Sequence, residues 1–327
     1  MPAAAATKEL SLSLATGEAS SGAAAVFRPI QYLGSKLRAC SAISDAVDLL
    51  TPAGGVVADL FTGTTVVAQT LARAGYRLIA ADALAFSATF ATALLGVGRP
   101  ESQTNLGVLL DAVDQFRGDH ASDHPWSEWE LAERRALDTR DVDALIDLQR
   151  TIPVIWRRGS ANQAQLRLFK NLDAIVGQNA TPYPHIAKAI YAGTYFGVVQ
   201  AGELDSIRAA IERAGDAHAL GSWERAVALT ALLAAASRAV CSAGKHFAQP
   251  YVGLGDLTPH QRLRLLGDRQ VSIRDEFEAC ADIVLAGARP GCEGHKAYSV
   301  TVEELLQQPT EYFTQLPSVV YADPPYT

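Results

Sequence analysis

Apolar positions near the start of the chain predict the order strand, helix, strand. Residues 54–65, GGVVADLFTGTT, contain a short apolar run interrupted only by Asp59, followed by a bend at Gly63. The next residues, VVAQTLARAGY, have the apolar spacing of a short helix that ends at Gly75, and RLIAADALAF predicts a second strand that ends at Asp82. Two strands joined by a helix in this way build a parallel sheet with a right-handed crossover.

The pattern becomes helical from about residue 100 to residue 290. Segments such as HIAKAIYAGTYFGVVQ and SWERAVALTALLAAASRAV repeat apolar residues at helical spacing. Strand character returns in KAYSV (296–300) and SVVYAD (318–323), on either side of the helical VEELLQQP. We therefore predict an α/β fold with a large helical insertion: a disordered tail at 1–27, a first sheet part at 28–97, the insertion at 98–292 and a second sheet part at 293–327.

Composition favours a globular cytoplasmic protein without a membrane span. The longest apolar helical run lies between Arg225 and Arg238, which is shorter than the roughly 20 residues that cross a bilayer. The first 25 residues lack the basic start and continuous apolar core of a signal peptide. The four cysteines are scattered without a C-x-x-C pair, so we expect reduced thiols and no metal site.

The net charge of −7 is concentrated in one segment. Residues 101–150 hold 12 acidic residues against five arginines, an excess that equals the net charge of the whole chain. Acidic and basic residues are therefore balanced elsewhere, and a basic face for a nucleic acid remains compatible with the composition.

Candidate chemical groups follow three of the predicted strands. Asp59 and Gly63 follow the first strand, Asp82 ends the second, and Asp323 ends the last. Ligands of open parallel sheets bind at the carboxyl ends of the strands, where a glycine lets the backbone approach and an acid accepts hydrogen bonds from ribose hydroxyls. Any one of these aspartates is more often a helix cap than a ligand, but together on one sheet edge they predict a nucleoside site.

The sharpest of these signals is the motif DPPY, residues 323–326. Its two prolines fix the backbone and donate no N–H, so their carbonyl groups remain available as acceptors. An exocyclic aromatic amine can then donate one hydrogen to the Asp323 carboxylate and the other to the Pro324 carbonyl. Tyr326 offers a ring on which a flat base can stack. The alternative is a proline-rich turn that caps an edge strand.

In this order, the motifs QYLGSK (31–36), DLFTGTT (59–65), Asp82 and DPPYT (323–327) resemble those of the Dam-like group of adenine-specific DNA methyltransferases, which use S-adenosylmethionine. The resemblance implies a Rossmann-like class I methyltransferase sheet that is incomplete in this chain, an insertion that recognises the target, and double-stranded DNA with a flipped adenine as substrate. The implied cofactor-binding residues are Tyr32, Lys36, Asp59, Phe61, Gly63, Asp82 and Asp323, and the implied catalytic residues are Asp323, Pro324, Pro325 and Tyr326.

Two positions depart from the family pattern. Thr65 stands where a second glycine is usual, which makes a tighter turn or a weaker cofactor site. Thr301 stands where an acid often contacts the adenine of the cofactor, and the neighbouring Glu303 is a possible replacement.

Candidate DNA contacts lie in the insertion. In GKHFAQP, we expect His246, Phe247 and Gln249 either to contact bases or to form a structural loop. The basic pairs Arg157–Arg158 and Arg167–Lys170, beside Trp156 and Phe169, are candidate phosphate contacts, with solvated surface arginines as the equal alternative.

Site-specific methylation of adenine in DNA, in restriction–modification or phage defence, is therefore the function we expect. RNA and protein-glutamine methyltransferases share motifs of this type, although the long segment between Asp59 and Asp323 favours DNA over protein. The alternative from another class is a catalytically incomplete half that binds cofactor and DNA.

The resemblance also implies a sheet of seven strands in the order 3-2-1-4-5-7-6. We predict only four strands in this chain, at 56–60, 78–81, 296–300 and 318–322. The last is apolar on both faces, as in a central strand, but would here be an exposed edge. We therefore expect a second chain or a further C-terminal segment to complete the sheet.

Overall fold

The computed structural model describes residues 26–31, 34–101, 104–117, 125–175, 185–247, 250, 257–288, 294–313 and 315–324. The predicted tail lies outside these residues except for its last two positions. Of those, Phe27 is buried, and its backbone N–H and carbonyl both bond to the side chain of Gln69.

Strands occur near both ends of the chain and helices fill the middle. In chain order the elements are α1 (Cys40–Leu50), β1 (Val56–Asp59), α2 (Val66–Arg73), β2 (Arg77–Asp82), α3 (Ala85–Leu94), α4 (Leu106–Gln115), α5 (Ser127–Asp138), α6 (Val142–Thr151), α7 (Gln163–Ile175), α8 (Ile186–Tyr191), α9 (Val198–Asp216), α10 (Ser222–Ala239), α11 (Pro259–Arg269), α12 (Ile273–Gly287), β3 (Lys296–Ser299), α13 (Val302–Gln307), α14 (Pro309–Tyr312) and β4 (Val319–Tyr321).

The four strands form one parallel sheet in the order β3-β2-β1-β4. All four lie within two residues of their predicted bounds, and their order matches the first four positions of the sheet that the family resemblance implies. The predicted α/β class and the Rossmann-like arrangement are therefore confirmed.

Apolar side chains cover both faces of the two middle strands. Val57 and Leu78 pack with α1 and α2 on one face, whereas Ala58 and Ile79 pack with Leu305 of α13 on the other. Burial on both faces explains why β1 and β2 are apolar runs rather than alternating strands. The parallel pairing of β1 with β2 places Asp59 and Asp82, at the strand ends, on the same edge of the sheet.

Strand β4 differs from the middle strands in its burial. Val319 and Tyr321 pack against the core, but the side chain of Val320 is 53% exposed. Among the described residues, β4 pairs with a strand on one side only, through β1. The predicted exposed edge is therefore present in the described sheet.

The described chain forms two compact units. The first comprises the described residues of Met1–Leu106, Gly221–Ala231 and Cys280–Thr327, and it contains the sheet. The second comprises those of Gly107–Leu220 and Leu232–Ala279 and is helical, with a core cluster that includes Leu145, Cys241 and Leu265. Within the described residues, no helix is both long enough and apolar enough to cross a membrane.

Candidate functional site

A cavity of about 600 Å³ lies at the carboxyl ends of the strands in the first unit. Its wall is built from the turn after β1, the residues after β2, the start of α13 and the residues after β4, together with the segment that precedes α1. The volume falls within the roughly 300–1,000 Å³ of most ligand pockets. The position is the one expected for a ligand of an open parallel sheet.

Most of the predicted site residues meet in this cavity. Those that line it are Lys36, Asp59, Phe61, Gly63, Asp82, Asp323 and Pro324. Tyr32, Pro325 and Tyr326 lie outside the described residues. The geometry therefore brings residues from both ends of the chain together, while their individual roles stay predictions.

Asp59 is the most deeply buried acid of the cavity, with 1% of its surface exposed. Neither carboxylate oxygen makes a well-formed hydrogen bond to the described residues. The pKa of Asp59 is raised to about 7, mainly by burial and in smaller part by the nearby charges of Asp82 and Asp323, although Thr62 and the Phe61 amide favour the ionised form. Asp59 is thus poised to ionise when a cation or a hydrogen-bond donor enters the cavity.

Asp82 joins the end of β2 to the glycine turn. One of its carboxylate oxygens accepts a hydrogen bond of 2.9 Å from the Gly63 N–H, and the other accepts one of 2.9 Å from the Leu84 N–H. Gly63 has a φ of 50°, a conformation that glycine adopts without a steric penalty. The carboxylate is held in place by these bonds and keeps lone pairs for further donors.

Thr65, which replaces a usual glycine, adopts a left-handed backbone conformation with φ 65°. A β-branched residue is strained there, by about 1–2 kcal/mol. Its buried hydroxyl donates to the Thr64 carbonyl and accepts from the Gln69 amide at 3.0 Å. These hydrogen bonds compensate the strain and tie the turn to Gln69, which in turn holds Phe27.

Thr301 and Glu303 take different roles at the start of α13. The Thr301 hydroxyl accepts a hydrogen bond of 3.2 Å from the Glu304 N–H, so that Thr301 caps the helix. Glu303 lines the same cavity without this structural task. The geometry therefore favours Glu303 over Thr301 as the acceptor for a ligand.

Lys36 and Asp323 connect the two ends of the chain. The Lys36 ammonium lies 2.6 Å from the Asp323 carboxylate, and both side chains are about one-quarter exposed. The ammonium also donates to the Gly34 carbonyl at 3.0 Å. The lysine that was expected at the cofactor is thus also a direct partner of the acid in the DPPY motif.

Tyr321 is a cavity residue that was missing from the sequence-based candidates. Its ring packs on the core next to β1, and burial raises the pKa of its hydroxyl to about 12, with further contributions from Asp323 and Asp59. Side chains two residues apart in a strand lie on the same face, so the spacing from Asp323 was the available signal. Leu84, Phe86 and Val302 also line the cavity and were missed.

The lining is strongly acidic. Asp59, Asp82, Glu303 and Asp323 face a single lysine among the described lining residues. Even so, no three of the described His, Cys, Asp and Glu side chains are grouped closely enough to hold a metal ion. A cavity of this kind is suited to an organic ligand that carries positive charge and hydroxyl donors.

The parallel sheet, the glycine turn after β1 and the acid at the end of β2 define a Rossmann-like methyltransferase fold. Residues 32–118 match the family model of D12 class N6 adenine-specific DNA methyltransferases. The resemblance predicted from the motifs is thereby confirmed for this part of the chain, which includes Lys36, Asp59 and Asp82 but ends before Asp323. No curated protein and no solved structure matches the chain.

The candidate phosphate contacts of the insertion have different environments. Arg157 donates twice to the Ile152 carbonyl, and Arg158 donates to the Ile155 carbonyl, so both side chains fold back onto their own turn. Arg167 and Lys170 are exposed on α7, whereas Phe169 between them is fully buried. Phosphate binding by these residues stays a prediction.

Proposed function

We propose that this chain is a site-specific DNA methyltransferase that transfers a methyl group from S-adenosylmethionine to the exocyclic amine of adenine, in restriction–modification or phage defence. The observation that carries the proposal is the position of Asp323 and Pro324, which line the same cavity as Asp59, Gly63 and Asp82. The family match over residues 32–118 supports adenine in DNA as the target.

The orphaned acceptors of the cavity fit this cofactor. Both oxygens of Asp59 and the hydroxyl of Thr62 are buried without well-formed hydrogen bonds, and both residues face the cavity. Asp59 would accept a hydrogen bond from the ammonium group of the cofactor. Asp82 would accept hydrogen bonds from the ribose hydroxyls of the cofactor, and Glu303 would accept one from its adenine amine. Leu84 and Phe86 add apolar lining that suits the adenine ring of the cofactor.

Asp323 and Pro324 would hold the target amine. The carboxylate accepts one hydrogen and the Pro324 carbonyl accepts the other, which directs the nitrogen lone pair away from the ring of the base. The cofactor supplies a methyl group on a positively charged sulfur. The protein then contributes mainly positioning and electrostatics, after the adenine has left the DNA stack at a cost of a few kcal/mol.

The exposed edge of β4 supports a further part of the proposal. An edge strand with an exposed valine presents unpaired backbone groups and apolar surface. We infer that additional strands, from a second chain or from a further segment of the polypeptide, pair with β4 and complete the base pocket.

The test is methyl transfer from radiolabelled S-adenosylmethionine to unmethylated DNA, with RNA as a parallel substrate. Asp323→Ala should abolish transfer while cofactor affinity falls less, and Asp45→Ala, which changes an exposed acid of α1 outside the cavity, should retain the wild-type rate. Near-normal transfer by Asp323→Ala, or transfer to RNA alone, would refute the proposal. Light scattering on the same sample tests the assembly, since an efficient monodisperse monomer would contradict it.

A further inference from the structure

Three neighbouring loops of the second unit carry exposed or half-buried aromatic side chains. They are the turn at 154–157 after α6, the loop at 191–197 between α8 and α9, and the segment at 242–247 after α10. We use the name aromatic loop surface for their exposed and half-buried rings, which are Trp156, Tyr191, Tyr195 and Phe247.

The rings of the last two loops contact one another. The Tyr195 ring centroid lies 6.1 Å from that of Tyr191 and 5.9 Å from that of Phe247, and the buried Phe196 packs under Phe247 at 6.1 Å. Tyr191 is 38% exposed and Phe247 41% exposed, so a large part of each ring remains open to solvent. Edge-to-face and tilted contacts of this kind leave ring faces available for another planar group.

The turn that carries Trp156 lies beside the loop of Tyr191 and Tyr195. Trp156 lies at the tip of its turn and is 54% exposed, and the turn is anchored to α8 by a hydrogen bond from the Ile155 N–H to the Ala189 carbonyl. Arg157, the next residue, lies against Gly193, where a Cβ atom would stand 3.0 Å from the guanidinium. A larger residue at position 193 would separate the two loops.

Buried polar groups fix these loops. The Arg269 side chain, almost fully buried, donates to the Tyr195 and Thr194 carbonyls at 3.0 and 3.1 Å. The Tyr195 hydroxyl donates to the Phe247 carbonyl at 3.1 Å, and Lys245 pairs with Asp268 at 2.7 Å. Burying a guanidinium costs free energy that an apolar core would not, and here the hydrogen bonds serve to position exposed rings.

Charged side chains lie close to these loops. Arg157, Lys245 and Arg269 lie in or directly beneath the loops, and the neighbouring acids are Asp268 and Glu133. Lys245 is paired with Asp268, and Arg269 is buried, so these charges hold the loops in place beneath the exposed rings.

We propose that the aromatic loop surface stacks on an unpaired nucleobase of the DNA substrate. In a duplex the faces of bases are covered by their neighbours, so exposed rings gain most from a base that has left the stack. Base flipping leaves such bases, and aromatic stacking holds them with little regard to sequence. The inference rests on the proposed function, which makes DNA the substrate.

The test compares two fluorescein-labelled random-sequence duplexes, one fully paired and one with a central bubble of three mismatches. We expect wild-type chain to bind the bubble duplex about tenfold more tightly, and we expect Phe247→Leu and Tyr191→Leu each to remove most of this preference. The dependence of affinity on salt should not change in these variants, because the phosphate contacts remain. Leu263→Ala, which removes an exposed apolar side chain of α11, is the matched control.

Equal wild-type affinity for the two duplexes, or a bubble preference that survives both leucine substitutions, would overturn the inference. Circular dichroism establishes that the variants are folded. A chain that prefers the bubble through these rings, but does not methylate DNA even in an assembly that completes the sheet, would refute the proposed function and leave this inference standing.

Discussion

Replacement of Asp59 by asparagine should stabilise the ligand-free protein at pH 8. The same replacement should weaken binding of the cofactor. The pKa of Asp59 is raised to about 7 in the folded chain, against about 4 for a solvated aspartate. The difference of about 3 units corresponds to about 4 kcal/mol, because each unit is worth about 1.4 kcal/mol. The asparagine amide is itself buried and poorly partnered, so we expect about half of this gain.

The pH dependence identifies the cause. Between pH 4 and 7 the folded protein holds a proton on Asp59 that the unfolded chain has already released, so the free energy of unfolding should decrease as pH rises through this window and level off above it. Asp59→Asn removes this contribution. The cost of the buried amide does not depend on pH, so the variant should be about 2 kcal/mol less stable than wild type at pH 4 and about 2 kcal/mol more stable at pH 8.

Cofactor binding should change in the opposite direction. A cationic group beside Asp59 favours the ionised carboxylate, so wild-type binding of S-adenosylmethionine should release a proton between pH 6 and 7. Calorimetry in two buffers of different ionisation enthalpy measures this proton, and thermal unfolding measures stability, with the exposed Asp45→Asn as control. An asparagine variant that is destabilised at pH 8 and binds the cofactor like wild type would refute this account of the cavity.

Two further predictions concern the glycine turn. The Thr65→Gly variant should be about 1 kcal/mol more stable than Thr65→Ala in chemical denaturation, because only glycine adopts the left-handed conformation without steric strain. Equal stabilities of the two variants would show that Thr65 is not strained. Asp82→Ala should weaken S-adenosylmethionine binding tenfold or more, as measured by calorimetry, because it removes both the acceptor of the Gly63 N–H and an acceptor for the ribose hydroxyls. An unchanged affinity would place the nucleoside site elsewhere.

The strand, turn and helix of residues 56–73 could be predicted from the sequence because local patterns determine them. Apolar runs, glycine positions and strand ends act over a few residues, and the parallel order follows from short right-handed connections. The convergence of Asp59, Asp82 and Asp323 could be predicted for the same reason, since the carboxyl ends of parallel strands share one edge.

Contacts between distant residues could not be predicted in this way. The ion pair between Lys36 and Asp323 depends on how the segment before α1 crosses the end of β4, and no local pattern encodes that path. Likewise, Arg157 stands in a basic pair beside Trp156, as a phosphate contact would, but its guanidinium donates hydrogen bonds to the Ile152 carbonyl. The buried Arg269 is polar, so hydrophobic periodicity cannot assign it to the interior.

The ion pair between Lys36 and Asp323 also bears on how the site operates under the proposed function. While Lys36 neutralises Asp323, the carboxylate is a weaker acceptor for the amine of a target base. The carboxylate of the cofactor would compete with Asp323 for the Lys36 ammonium. Cofactor binding would therefore draw Lys36 away and leave Asp323 to accept a hydrogen bond from the amine of the target base. The cavity would then hold four acids against a ligand of positive charge. Methyl transfer would turn the sulfonium into a neutral thioether, and the methylated amine would give up one proton, for which the Asp323 carboxylate is the adjacent acceptor. The attraction that these acids exert on the cofactor would then weaken, which would favour release of the spent cofactor.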